Sequence, residues 1–310
     1  MTTIDELKRR LFANPASADF LSLVEKAPGF IAIEVKTAFS TATIALQGAH
    51  IMTWQPKGQK PVIWLSSKAK FAPGKSIRGG VPICWPWFGP HATEAGYPGH
   101  GFARTIPWTL LDARKLPDGR VRLEFVPEMN DAARAQWPHA STVKYGITVG
   151  QELAIGLATK NTGNAPFQLG QALHTYFTVG DIHQASIAGL AGCTYIDKVA
   201  DNKRKKQRGA VSFVGEMDRI YLGTAGCCGI IDPALKRTIL ITGTGSRSTV
   251  VWNPGAEKAA KMGDFGRTGG KSGENTMVCV ETANAADDVI TLAPGETHRM
   301  TAQYRVLRNG

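Results

Sequence analysis

Thr142-Val143-Lys144-Tyr145-Gly146-Ile147-Thr148-Val149 runs through Gly150-Gln151 into Glu152-Leu153-Ala154-Ile155-Gly156-Leu157-Ala158-Thr159. In both octets apolar residues recur at every second position, and the first is rich in β-branched types. Successive side chains of a strand point to opposite faces, so this period buries one face and leaves the other wet. The Gly150-Gln151 step reads as a hairpin turn. Two runs joined this tightly form an antiparallel pair, and they set an all-β expectation for the chain.

The same texture recurs upstream at residues 30–36, 42–47, 51–54, 62–65 and 121–126, and downstream at 238–242, 249–252, 277–280, 289–292 and 298–306. Gly170-Gln171-Ala172-Leu173-His174-Thr175-Tyr176-Phe177 reads as another strand, with Ala172, His174 and Tyr176 on one face. With 34 glycines and 17 prolines, turns are frequent and strands short. Helix candidates are few. Thr3-Ile4-Asp5-Glu6 has the capping-box pattern and Leu7 and Leu11 lie four apart, so a short helical extension is expected over about residues 1–15. Residues 131–137 behind Asn130, and 257–262, are the interior candidates. No linker, repeat or composition shift marks a boundary. Residues 1–310 are read as a single domain, a large antiparallel sandwich or barrel.

Composition excludes several classes. At 43% hydrophobic and 20% charged residues, the chain has ordinary material for a globular core. No apolar run approaches a membrane span. The N-terminus carries Asp5, Glu6, Lys8, Arg9 and Arg10 and is not a secretory signal. The cysteines are odd in number, at 84, 193, 227, 228 and 279, with no CxxC. Reduced thiols in a cytoplasmic protein fit better than a disulfide framework or a zinc site. His50, His91, His183 and His298 show no metal-ligand spacing. The net charge of +11 owes much to Lys203-Arg204-Lys205-Lys206-Gln207-Arg208. No aromatics are interleaved for base stacking, so this run is read as a solvated loop and no nucleic-acid partner is expected. The excess charge favours an anionic small substrate.

Several segments bear chemistry. Arg78-Gly79-Gly80-Val81-Pro82-Ile83-Cys84-Trp85-Pro86-Trp87-Phe88-Gly89-Pro90 is too rich in glycine and proline for a regular element and reads as a rigid loop. Its tryptophan faces suit a sugar ring, and the fork of Arg78 suits phosphate; a structural ion pair is the plainer role for that arginine. His100-Gly101-Phe102-Ala103-Arg104 offers a second arginine. Asp218 is expected in a short loop before Ile220-Tyr221-Leu222, and Glu281 at the end of an apolar strand. His174 is the natural proton carrier near neutrality, and with a strand-end glutamate it makes a general acid/base pair. Each of these is weak alone. No nucleotide-binding glycine loop accompanies them.

In combination, and in this order, the segments around Arg78, His100, His174, Asp218-Arg219-Ile220-Tyr221, Val251-Trp252-Asn253-Pro254 and Val280-Glu281 resemble the D-hexose-6-phosphate mutarotases, a branch of the aldose 1-epimerase superfamily. The resemblance spans residues 30–306. It implies a galactose-mutarotase-like β-supersandwich, with His174 as general acid and Glu281 as general base in opening and reclosing the sugar ring. Asp218 would bind sugar hydroxyls and, as a carboxylate near His174, favour its imidazolium. Arg78 and Arg104 would hold the 6-phosphate, and His100 would lie near the ring. No metal or organic cofactor, and no partner beyond a hexose 6-phosphate, is implied; a monomer is expected. Many relatives have glutamine just before the His-Gly-Phe-Ala-Arg segment, where this chain has Gly99. That contact is lost here or supplied from elsewhere. The competing readings are an aldose 1-epimerase acting on free sugars, which needs no arginine clamp, and a non-catalytic sugar-phosphate binder, which needs neither His174 nor Glu281.

Overall fold

The computed structural model describes residues 4–11 and 15–308. The opening hairpin sits near the middle of a nine-stranded antiparallel sheet. Ser141–Val149 pairs with Leu153–Asn161, and Val149 lies opposite Leu153. The turn is therefore 150–152, one residue longer than expected. Glu152 belongs to the turn because its carbonyl accepts from Gly150 N at 3.0 Å, and its carboxylate reaches Gln303 and Arg305 across the sheet. Val143, Tyr145, Ile147, Leu153, Ile155 and Leu157 are buried as their period requires. Thr297–Arg308 and Arg237–Thr244 extend this sheet on one side, and Val121–Pro127 and Trp108–Lys115 on the other.

A second, eight-stranded sheet packs on the first. Its path runs Lys203–Lys206, Thr194–Asp197, Met217–Leu222, Ser248–Asn253, Met277–Asn284, Gln171–Leu173 and Ile83–Cys84, with Tyr176–Thr178 also on Met277–Asn284. The two sheets meet through Leu173, Phe177, Val251, Val278 and Val280 on one side and Tyr304, Ile239 and Leu157 on the other, within one apolar cluster. Phe177 meets Tyr304 edge-on at 5.0 Å, and the Tyr304 hydroxyl lies 2.6 Å from Thr175 Oγ1. Leu21–Ala27, Phe30–Lys36, Ser40–Ala45 and His50–Pro56 form a four-stranded meander beside them.

The helices fall where expected. Ile4–Leu11 is helical, while Thr3, the expected cap, lies outside the described residues. Asn130 caps Asp131–Gln136 by accepting from Ala133 N, and Gly255–Met262 is the third helix. Among the described residues, no helix is long and apolar enough to cross a membrane. All five cysteines are free.

Four expectations need correction. The basic run is not a loop: Lys203–Lys206 is an exposed edge strand paired with Thr194–Asp197. Arg204 pairs with Asp287, and Lys205 with Asp197. Lysines on an edge strand discourage pairing with another chain, so the charge is a property of the sheet edge. Residues 62–65 make only isolated bridges, Ile63 to Phe177 and Leu65 to Gly79. Asp218 lies within the strand Met217–Leu222. Glu281 is inside a strand that continues to Asn284 and is buried throughout, because burial on both faces removes the alternation that would have revealed its length.

Arg237 ties the start of the strand Arg237–Thr244 to the segments at residues 60–61 and 178. Its side chain is 1% exposed and donates to the carbonyls of Lys60, Pro61 and Thr178, with the fully buried Asp232 at 3.7 Å. Arg237→Met is expected to destabilise the fold by about 3–5 kcal/mol, because it strands a buried carboxylate and three carbonyls. Urea unfolding of the two proteins checks this; a loss below about 1 kcal/mol would show the network to be dispensable.

Candidate active site

The pairing of one strand builds the site. Leu173 lies opposite Thr282 and Tyr176 opposite Cys279, so the register continues unbroken and sets His174 opposite Glu281. The ladder itself is interrupted here. Thr175 N turns back to Leu173 O at 2.8 Å, and Val280 N donates to Thr175 O. The expected strand over 170–177 is thus two short ones, with His174 at the break. His174 N donates to Pro82 O and Tyr176 N to Gly80 O, so the glycine- and proline-rich loop supplies the missing edge.

On the face away from the core, two rows cross four strands. One is Asp218, Trp252, Cys279 and Tyr176; the next is Ile220, Val250, Glu281 and His174. The shared face of Ala172, His174 and Tyr176 is as the alternation predicted. His174 Nε2 is 3.2 Å from Glu281 Oε1, with the histidine side chain 12% exposed and the glutamate 1%. Tyr176 stacks on the imidazole at 5.0 Å and 16°, and Trp252 meets it edge-on at 6.1 Å. The ring is therefore fixed on two sides.

The flanking loops set the electrostatics. His100 ring lies 5.8 Å from that of His174 and edge-on to Phe88 at 4.8 Å. Its Nδ1 accepts from Gly89 N, which assigns the proton of the neutral ring to Nε2. Its pKa is pushed down to about 4 by burial and by Arg104. Arg104 donates to Gly99 O at 2.8 Å, and its buried Nε has no protein partner. Burial, then His100 and Arg104, hold His174 well below the usual imidazole range. Burial and the Asp218 carboxylate push Glu281 well above the usual carboxylate range, against Arg104. Asp218 thus bears on Glu281, and the dominant influences on His174 keep it neutral; the expected stabilisation of imidazolium by Asp218 is not what this geometry favours.

Two candidates sit differently from expectation. Arg78 Nε bonds both carboxylate oxygens of Asp264 at 3.0 and 3.1 Å, and Nη1 donates to Tyr176 Oη at 2.9 Å. Its guanidinium also lies over Phe265. The tryptophan faces of the 78–90 loop are not free. Trp85 is 1% exposed, bonds Thr159 through Nε1, and packs on Phe102 and Trp137. Trp87 Nε1 donates to Pro98 O. Both lock the loop rather than face the site. Sequence reading gave Tyr176, Trp252 and Cys279 no role and did not single out Asp264. The i, i+2 spacings of Cys279 with Glu281 and of Tyr176 with His174 were the available signals; nothing local pointed to Asp264.

Comparison with known proteins bears on this geometry. The aldose 1-epimerase family model matches residues 32–305. The chain belongs to the aldose 1-epimerase family. A relative from Escherichia coli K12 named "Putative glucose-6-phosphate 1-epimerase" is 43% identical over 247 residues, 79% of this chain and 80% of that one. A protein of Cenchrus ciliaris with the same name is 35% identical over 290 residues, covering 90% and 86%. The crystal structure of "a putative mutarotase (YeaD)" from Salmonella typhimurium superposes with a TM-score of 0.85 at 36% identity, covering 94% of each chain. A galactose mutarotase related enzyme from Lactobacillus acidophilus, only 13% identical, still gives 0.68 over 90% of this chain and 98% of that one. The galactose-mutarotase-like fold expected from the sequence is the fold of this family member, with open rather than closed sheets.

His50 lies beneath the Gly79-Gly80 turn, fully buried. A Cβ on Gly80, whose φ is 72°, would fall on His50 Nε2 and Ile51 O. Burial pushes the pKa of His50 down to about 3, against a backbone hydrogen bond to Gly79. The unfolded chain protonates this group near pH 6.5 and the folded one only near 3, so stability falls as pH drops between those values. His50→Gln is expected to lose less stability than wild type over that window in urea unfolding. An equal loss would remove His50 from the acid response.

Proposed function

We propose that the chain interconverts the α and β anomers of a hexose 6-phosphate, with glucose 6-phosphate the expected substrate. The observation that carries this is the fixed 3.2 Å contact between His174 and a fully buried Glu281. A single proton shared by such a pair serves both directions. Glu281 as carboxylate takes the proton of the anomeric hydroxyl while His174 as imidazolium gives one to the ring oxygen. The ring opens to the aldehyde, the C1–C2 bond turns, and reclosure runs with the roles exchanged. Burial raises the proton affinity of the carboxylate and lowers that of the imidazole, which opposes the usual preference of the proton for the imidazole. A pure binder would need neither group.

The relatives' printed names support the phosphorylated substrate, and so does Arg104, a half-buried cation with an unpartnered Nε beside His100 and His174. We assign Arg104 the larger share of the 6-phosphate. Arg78 is largely occupied by Asp264 and Tyr176 and steadies the Tyr176 ring that holds His174. Asp218 remains the candidate for the sugar hydroxyls, and His100 offers its Nε2 proton near the ring. The two large sheets share one core, which supports a single domain. Five free thiols suit a cytoplasmic protein.

NMR exchange between anomers at equilibrium tests the reading. Glucose 6-phosphate exchange is expected to accelerate and free glucose or galactose exchange to stay near the uncatalysed rate. Glu281→Gln is expected to lower kcat at least about 100-fold with the circular dichroism spectrum retained; near-normal turnover would remove Glu281 as the base. Arg104→Ala is expected mainly to raise KM, because it binds a group remote from the reacting atoms. A large fall in kcat at unchanged KM would overturn that role, and acceleration of free sugars would move the activity to unphosphorylated aldoses.

A further inference from the structure

Cys279 takes no part in the proton transfers, yet it shares a face with Glu281 two residues away and lies opposite Tyr176. One donor atom from each of His174, Cys279 and Glu281 lies within 4.8 Å of the other two. The His174–Glu281 separation, 3.2 Å, is already close to the roughly 3.3–3.6 Å that tetrahedral geometry sets between nitrogen, oxygen and sulfur donors on zinc. The second carboxylate oxygen, Glu281 Oε2, is buried without a partner. We propose that this trio is a binding site for a soft divalent cation of the zinc or cadmium class, and that its occupation shuts off the proton-transfer pair. The binding half stands on geometry alone; the shut-off half rests on reading His174 and Glu281 as the reacting pair.

An imidazole nitrogen, a thiolate and a carboxylate supply three ligands and leave a fourth position for water, an arrangement zinc accepts. His174 is the partly exposed member, so the cation enters from its side. The thiol proton of Cys279 and the proton shared by His174 and Glu281 both leave to solvent as the cation's bonds to sulfur, nitrogen and oxygen form, and nothing is oxidised. Charge alone would not select the ion. Arg78 and Arg104 oppose a cation here, while Glu281 and Asp218 attract one. Magnesium and calcium gain little from a thiolate and keep oxygen ligands. The ion must therefore be one whose bond to sulfur outweighs the arginines. Cation and sugar need the same histidine and carboxylate, so each excludes the other.

Cadmium titration of the reduced, chelator-treated full chain tests this through the ultraviolet absorption of a cadmium–thiolate bond and through equilibrium dialysis. The expected result is about one cation per chain with a thiolate band, at least tenfold weaker in Cys279→Ser and unchanged in Cys227→Ser, the exposed-cysteine control. Magnesium should give neither signal. Zinc should slow anomer exchange in wild type, and the concentration needed, relative to each protein's own uninhibited rate, should rise at least tenfold in Cys279→Ser. A band or stoichiometry that survives Cys279→Ser, or no band in wild type, overturns the site. Should Cys279→Ser not fold, cadmium NMR on nitrogen-labelled wild type decides: coupling to one imidazole supports the site and its absence refutes it. Cadmium held through Cys279 by a protein that does not accelerate anomer exchange would keep the site and remove the catalytic reading; exchange without thiolate binding would do the reverse.

Discussion

Glu281 is a carboxylate on a strand whose every residue is buried, and such a group is tolerable only with a partner fixed beside it. The register of two strands provides that partner. Because Leu173 and Tyr176 keep the same alignment against Met277–Asn284, the residue between them that faces away from the core must meet Glu281, and that residue is His174. A slip of the 171–178 segment by one position would turn His174 to the wrong face and leave Glu281 unpartnered. The core behind the pair resists the slip: Thr175 and Phe177 are tied to Tyr304 of the opposing sheet. The sandwich therefore holds His174 and Glu281 at fixed spacing.

The surroundings then tune this pair in opposite senses. Water is largely excluded, which disfavours charge on either group. Asp218, one row away, adds to the effect on Glu281, while His100 and Arg104 add to the effect on His174. Both shifts oppose the usual preference of a proton for imidazole over carboxylate. Arg104 thus has a double bearing. It keeps a buried Nε without a protein partner, and it biases the neighbouring histidine toward the neutral form.

Rigidity comes from the groups packed around this pair. Trp85 and Trp87 are spent on locking the loop that pairs with the backbone of His174 and Tyr176. Asp264 holds Arg78, Arg78 holds the Tyr176 hydroxyl, and Tyr176 covers the imidazole. Side chains locked by such supporting contacts keep a site in its working geometry.

Local pattern alone determined the β class, the hairpin near 150, the three helices and the common face of Ala172, His174 and Tyr176, because periods of two and 3.6 residues are written into neighbouring side chains. Motif order pointed to the family and singled out His174 and Glu281, which the fold brings into contact. Tertiary structure decided the rest. Glu281 proved to lie within a strand whose burial on both faces hides its end, and Asp218 within one whose ladder partners are distant in sequence. The basic run became a sheet edge, since pairing depends on a distant strand. Arg78 went to Asp264, 186 residues away in sequence, and the tryptophans went to the loop's interior. Which partner a long side chain takes is settled by what folding brings within about 3 Å of it, and no local spacing encodes that.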